Sequence, residues 1–253
     1  MREASQRTRE LGRSAAIRSA EVGRQIRQLD VPWARCRIAR MAREAILQFL
    51  LGPLMRLYTR ARVYGRDGFE GLPPPVVLVA NHSSHLDTPT ILRALPLAWR
   101  QRTAVAAAAD YFYKKRLVAN LVALIFNTVP IMRGGGGGTG SLNHVDQLID
   151  QRWNLLMFPE GTRSRAGELG KLRSGAAVIA QQHGIPIVPV LVRGTHDAMP
   201  PGRSWPKRID GFLSRRHRVE VHFGPPIWPA SGEDRTDVMG RVRSYLEGFP
   251  TPR

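Results

Sequence analysis

The run Val76-Val-Leu-Val-Ala80 constrains this chain more than any other feature. It is apolar throughout and shows no polar alternation. A strand of that kind has no solvent face and must be covered on both sides. Asn154-Leu-Leu-Met-Phe158 and Ile185 to Val192 have the same texture. Shorter strand signals fall at Val129–Met132 and Arg218–Phe223. Between them lie helical patterns at Thr88–Trp99, Tyr111–Phe126, Leu142–Gln151, Ser174–His183 and Asp234–Leu246, and Gly184 stops the fourth. This alternation predicts an α/β fold, with a central, mostly buried sheet flanked by helices. No internal repeat is visible.

A length of 253 residues with 43% apolar content accommodates one sizeable domain and a smaller extension. The net charge of +18 asks for a polyanionic partner: nucleic acid, an anionic membrane surface or phosphorylated substrates. Residues 1–62 hold 14 arginines against 5 acidic residues, half of that charge. Leu11, Ala15, Val22, Ile26 and Leu29 form a helical stripe among them, ended by Pro32. A more apolar helix follows over Ile38–Tyr58, with a bend expected at Gly52-Pro53. The expected organisation is a basic amphipathic N-terminal helical extension over 1–62, a main domain over 63–228, and a C-terminal helix and tail over 229–253. The first thirty residues lack the apolar run of a signal peptide, and no stretch offers about 18 uninterrupted apolar residues for a spanning helix. The single cysteine, Cys36, excludes an intramolecular disulfide and a Cys-based metal site. The basic N-terminus holds only Trp33 before Phe49, so it lacks the aromatic interleaving of a nucleic-acid surface, and no nucleic acid is expected.

Two segments that leave buried strands carry chemistry. In Asn81-His-Ser-Ser-His-Leu-Asp87, His82 and Asp87 are too far around a helix to touch. They meet only if His82 lies in the turn and Asp87 opens the helix. Asp87 then accepts from one ring nitrogen, and the other can act as general base. By itself the segment also reads as a capping box, Ser84 to Asp87, with His82 a loop residue. The spacing of His82, His85 and Asp87 matches no common metal pattern. In Phe158-Pro-Glu-Gly-Thr-Arg-Ser164, Pro159 and Gly161 permit a sharp turn, and Arg163 suits a bidentate phosphate contact. Arg133 ends a strand just before the glycine run 134–138, which reads either as linker or as a phosphate cradle. There is no Gly-x-Ser-x-Gly elbow for a serine hydrolase.

In this order, Asn-His-x-x-x-x-Asp, an arginine at a strand end, Phe-Pro-Glu-Gly-Thr-Arg-Ser and Ile185-Pro-Ile-Val-Pro-Val190 resemble the glycerolipid acyltransferases, in particular the bacterial 1-acylglycerol-3-phosphate acyltransferases. The resemblance runs from about Val63 to Ile227, and the second block departs from the common Gly-x-x-Phe-Ile-x-Arg at Asn127 and Pro130. It implies that His82 is the general base and Asp87 its orienting partner. It puts Glu160, Gly161, Thr162 and Arg163 along the acceptor site, with Arg133 assisting and Arg173 a further phosphate ligand. It implies no cofactor and no metal; the co-substrate is an acyl-CoA or acyl carrier protein thioester. The acceptor is a lyso-phospholipid, foremost 1-acylglycerol 3-phosphate, and transfer is direct. An anionic phospholipid membrane is the expected partner, and the expected location is peripheral, on the cytoplasmic face of the cell membrane.

Overall fold

The computed structural model describes residues 29–108, 116–131, 143–164, 168–209 and 215–248. Seven strands form one sheet: β1 (Thr59–Tyr64), β2 (Val77–Ala80), β3 (Thr103–Ala108), β4 (Thr128–Ile131), β5 (Asn154–Met157), β6 (Ile187–Arg193) and β7 (His217–Phe223). Their spatial order is β1-β7-β6-β2-β5-β3-β4. Every neighbouring pair is parallel except β6 and β7. β2 lies in the middle, and all four of its residues are buried.

Side chains alternate across each strand, so the sheet feeds two cores. Val77, Val79, Leu155 and Ile187 pack on one face against Ala177 and Ile179 of the helix Gly175–His183 and Val238 and Val242 of the helix Arg235–Glu247. Leu78, Ala80, Leu156 and Val190 pack on the other against Ile91 and Leu92 of the helix Asp87–Ala94, together with Leu47 and Phe69. The α/β architecture with a covered sheet is the one expected from the apolar runs.

Several elements differ from the sequence reading. The helix expected over Thr88–Trp99 is two, Asp87–Ala94 and Leu97–Gln101. Pro96 bars its predecessor from helical geometry, and Leu95 is extended at ψ 148°. β3 was not anticipated, because the four alanines of Thr-Ala-Val-Ala-Ala-Ala dilute the strand preference of Thr103 and Val105. It is a strand because β4 and β5 hold it on both sides. The helix expected from Tyr111 is described over Arg116–Phe126. The N-terminal stripe up to Ile26 and the glycine run 134–138 lie outside the described residues.

The second N-terminal helix runs over Arg37–Ala45 and Gly52–Tyr58 with a π-helical stretch, Ile46–Leu51, between them. The disturbance expected at Gly52-Pro53 therefore falls one turn earlier. Pro53 has no N–H to donate to the preceding turn, and a π-helical stretch is one way to absorb that loss. Arg93 donates to the Leu47 carbonyl within this stretch. Arg43, only 3% exposed, donates to the carbonyls of Ala34, Ala123 and Leu124 and so ties the helix to the end of Arg116–Phe126. Among the described residues, no helix is long and apolar enough to cross a membrane.

Candidate active site

β2 and β5 are neighbours, and each delivers one conspicuous segment from its carboxyl end, the usual place for a site in such sheets. After β2, residues 81–86 form a loop, and Asp87 opens the helix Asp87–Ala94. The helix boundary falls at Leu86, yet Ser84 Oγ accepts from Leu86 N at 3.1 Å and Asp87 accepts from the Ser84 N–H, so the capping contacts form alongside the contact to His82. Asp87 is fully buried and its carboxylate collects four donors. Oδ2 accepts from His82 Nδ1 at 3.0 Å and from the backbone N–H groups of Ser83 at 2.7 Å and Ser84 at 2.8 Å. Oδ1 accepts from the Thr195 hydroxyl at 2.5 Å. An ionised carboxylate can only accept, so the proton between the pair belongs to His82 Nδ1. Nε2 is then the unprotonated nitrogen, open to take a proton.

The imidazole is held from other directions too. It stacks on Phe158 with ring centroids 4.2 Å apart. The His82 N–H donates to Glu160 Oε1 at 2.8 Å, and its carbonyl accepts from Ser164 N at 2.8 Å. Glu160 Oε2 accepts from Gly170 N at 2.8 Å. Glu160 thus brackets the histidine loop to the segment leading into the helix Gly175–His183. Just before the histidine, the Asn81 amide donates to the Val192 carbonyl and accepts from Val192 N, which extends the ladder onto β6.

Both serines of the loop are buried, and their hydroxyls are engaged. Ser84 Oγ donates to the Met199 carbonyl at 2.7 Å. Ser83 Oγ lies 3.3 Å from Thr195 Oγ1, whose own proton is directed at Asp87, so Ser83 is the donor of that pair. Neither points a free hydroxyl at the imidazole.

Beside this pair lies a cavity of about 270 Å³ lined by Glu160, Thr162, Ser164, Gly170, Lys171 and Arg173. Two cations, two hydroxyls and open volume suit an anionic headgroup. Gly161 sits at φ +75°, and a Cβ there would meet Arg173 Nε at 3.1 Å, so the glycine lets Arg173 lie across the turn. Arg163 is not in the cavity wall. Its charge reaches His85, whose pKa is pushed below the ordinary value first by burial and then by Arg163. Of the acceptor-site candidates, Glu160, Thr162 and Arg173 line one cavity; Gly161 supports it, Arg163 stands apart, and Arg133 lies outside the described residues. Asn127, where the resembling family has glycine, takes φ 53° and donates its amide to the Thr103 carbonyl. Asparagine is among the few side chains that tolerate that conformation, so the turn survives the exchange. Pro130 stands on the edge strand β4, where proline is admissible.

Thr195, Lys171 and the stacking of Phe158 on His82 have no signature in the sequence. A threonine after a strand end carries no local signal of a bond to a carboxylate 108 positions earlier. Among the described residues, no group of three His, Cys, Asp or Glu side chains could hold a metal ion.

A family model described as Acyltransferase matches residues 60–193. A chloroplastic 1-acyl-sn-glycerol-3-phosphate acyltransferase of Brassica napus is 32% identical over 174 residues, 66% of this chain and 46% of that protein. A probable 1-acyl-sn-glycerol-3-phosphate acyltransferase of Mycoplasma pneumoniae is 29% identical over 168 residues, 63% of this chain and 60% of that one. The chain spans about half the length of the first curated relatives it matches. The crystal structure of a Thermotoga maritima 1-acyl-sn-glycerophosphate acyltransferase superposes with a TM-score of 0.58 at 19% identity, over 93% of this chain and 99% of that one, a likeness of fold.

Proposed function

The chain belongs to the acyltransferase family, and from that premise we propose that it moves a fatty acyl group from a thioester to the hydroxyl of a lyso-glycerophospholipid. The foremost acceptor is 1-acylglycerol 3-phosphate, which would give phosphatidic acid. The relatives' names support that choice of acceptor. The observation that carries the reading is a histidine whose Nδ1 proton is directed at Asp87, whose Nε2 has no hydrogen bond among the described residues, and whose backbone is bonded to Glu160 and Ser164 of the cavity wall.

His82 Nε2 takes the proton of the acceptor hydroxyl as its oxygen attacks the thioester carbonyl. Asp87 stabilises the imidazolium formed, and general-base help of this kind contributes roughly 10²–10⁴ in rate. The tetrahedral intermediate collapses with loss of the C–S bond, and His82 returns the proton to the departing thiolate. The new C–O bond stays with the acceptor. The engaged hydroxyls of Ser83 and Ser84 favour direct transfer over an acyl-enzyme. Thr162 and Arg173 hold the phosphate, with Glu160 and Gly161 shaping the wall and Arg163 and Arg133 adding charge. The donor is an acyl-CoA or acyl-carrier-protein thioester.

In this proposal the protein attaches peripherally to an anionic membrane, on its cytoplasmic face. Ile38, Met41, Phe49 and Leu50 are exposed on the helix that Arg43 anchors, and Leu117 and Leu121 are exposed on the helix it is anchored to. Apolar side chains beside arginines suit the interface of an anionic leaflet.

The test is acyl transfer by purified protein with both donor types, offered 1-acylglycerol 3-phosphate, glycerol 3-phosphate and other lyso-phospholipids. The expected result is preference for 1-acylglycerol 3-phosphate. His82→Ala should lose about 10²–10⁴-fold in kcat while its thermal unfolding stays close to that of the parent. Substantial residual turnover in that variant removes His82 from the mechanism, and a trapped acyl-Ser83 or acyl-Ser84 removes direct transfer. Preference for a different lyso-lipid would keep the chemistry and change the acceptor.

A further inference from the structure

We propose that Thr195 is a positioning residue for the His82–Asp87 pair, setting the orientation and charge distribution of the Asp87 carboxylate through its hydroxyl. Three of the four donors to Asp87 converge on Oδ2. Two of those are backbone groups of the same loop, so they move with it. Thr195 is different: it grips the other oxygen, Oδ1, from the turn after β6, the strand beside β2. A carboxylate held at one oxygen can pivot about it, whereas one held at both cannot. Thr195 therefore fixes the plane in which Oδ2 meets His82 Nδ1.

The local chain is built to bring this hydroxyl in. Thr195 is fully buried and opens the short helical turn Thr195–Ala198. Gly194 before it takes φ +77°, and a Cβ at that position would lie 1.9 Å from the Arg218 carbonyl oxygen of β7. Only glycine lets the chain turn out of β6 this close to the Arg218 carbonyl. Two residues before Gly194, Val192 is clamped by both polar atoms of the Asn81 side chain. The end of β6 thus holds the histidine loop at two points, ahead of His82 at Asn81 and behind it at Asp87. The proton order is also determined. Asp87 accepts from Thr195, and Thr195 accepts from Ser83 at 3.3 Å. A hydroxyl that donates to a carboxylate and accepts from a second hydroxyl is polarised toward the carboxylate. Part of the charge of Asp87 is therefore neutralised on the side away from the imidazole.

This role rests on His82 acting as the base, so its test has one readout in catalysis and one independent of it. Thr195→Val keeps the shape and removes the hydroxyl, while Thr195→Ser keeps the hydroxyl. In Thr195→Val, kcat should fall about 10- to 100-fold through misplacement of the base, with the KM of donor and acceptor little changed. Loss of the donor returns negative charge to Asp87 and favours the imidazolium, so the acidic limb of the pH–rate profile should move to higher pH. The downfield Nδ1 proton resonance of His82 should be displaced by nuclear magnetic resonance in Thr195→Val and retained in Thr195→Ser. Should Thr195→Val not fold, Thr195→Ala is read in the same way. A fall in kcat with the limb and the resonance in place is what a merely structural residue gives, and it overturns the proposal. So does a serine variant as impaired as the valine. If the parent transfers no acyl group to any acceptor, the functional reading fails, and the resonance alone decides the role of Thr195.

Discussion

A carboxylate taken wholly out of water is stable only where other donors replace the hydration it lost, and Asp87 has four. Asp87→Asn would turn one oxygen into an amide that faces donors. It should leave buried N–H groups without acceptors, at a loss of about 1–3 kcal/mol each, and free His82 to take the wrong tautomer. The expected result is a fall in kcat of about 10⁴-fold, measured beside a lowered unfolding temperature. Gly161→Ala places a side chain at φ +75° against Arg173. It should destabilise by about 1–3 kcal/mol and raise acceptor KM more than it lowers kcat, because the residue it disturbs lines the cavity and not the base. Two histidines outside the proton-transfer step bear on pH. The pKa values of His85 and His217 are both lowered, in each case first by burial. The folded chain therefore binds their protons less readily than the unfolded one. Stability from these groups is present above the ordinary value of 6.5 and is lost as pH falls below it. Thermal unfolding from pH 7.5 downward should show that slope, and His217→Gln should flatten it. At this scale the motif residues were legible because the blocks that hold them follow one another in a recognisable order along the chain. Thr195 and Lys171 were not, because their partners are supplied by other parts of the chain.

Among the elements, the helical arm over Arg37–Tyr58 shows how a basic sequence can serve structure as well as charge. The Arg43 guanidinium is pushed down to about 10 by burial and by Arg35 and Arg40, yet that leaves it charged at neutral pH. Its planar fork meets three carbonyls, two of them near the C-terminal end of the helix Arg116–Phe126, where a cation is favoured. Arg100 pairs with Glu44 at a second point of attachment. Arg43→Met should destabilise the chain by about 3 kcal/mol and expose residues 37–58 to proteolysis, read by thermal unfolding and limited digestion. Arg43→Lys should not rescue it, since an ammonium cannot reproduce the fork. Helices and strands with strong periodicity or continuous apolar runs were visible in the sequence. β3 was not, because its alanines and single valine take their conformation from β4 and β5 on either side.

For the whole molecule, the charge of +18 and the exposed apolar side chains both bear on the proposed attachment to an anionic lipid surface. Flotation with vesicles should show binding to anionic lipid that weakens with salt. Equal binding to neutral vesicles would exclude the electrostatic part. Phe49→Glu combined with Leu117→Glu should reduce binding while leaving unfolding unchanged, since both side chains are more than three-quarters exposed. Apolar runs alone required a buried sheet, placed two of its strands at Val76–Ala80 and Asn154–Phe158, within a residue of where they lie, and marked the short segments that leave them carrying His82, His85, Asp87, Glu160 and Arg163. Those are local matters of hydrophobic period and spacing. The pairing of β2 with β5, the reach of Glu160 to the His82 backbone and the closing of Thr195 on Asp87 exist only in the folded chain. Each of these is a contact between residues far apart in the chain. Strand order brings them together, and strand order is chosen by burying both faces of the sheet at once.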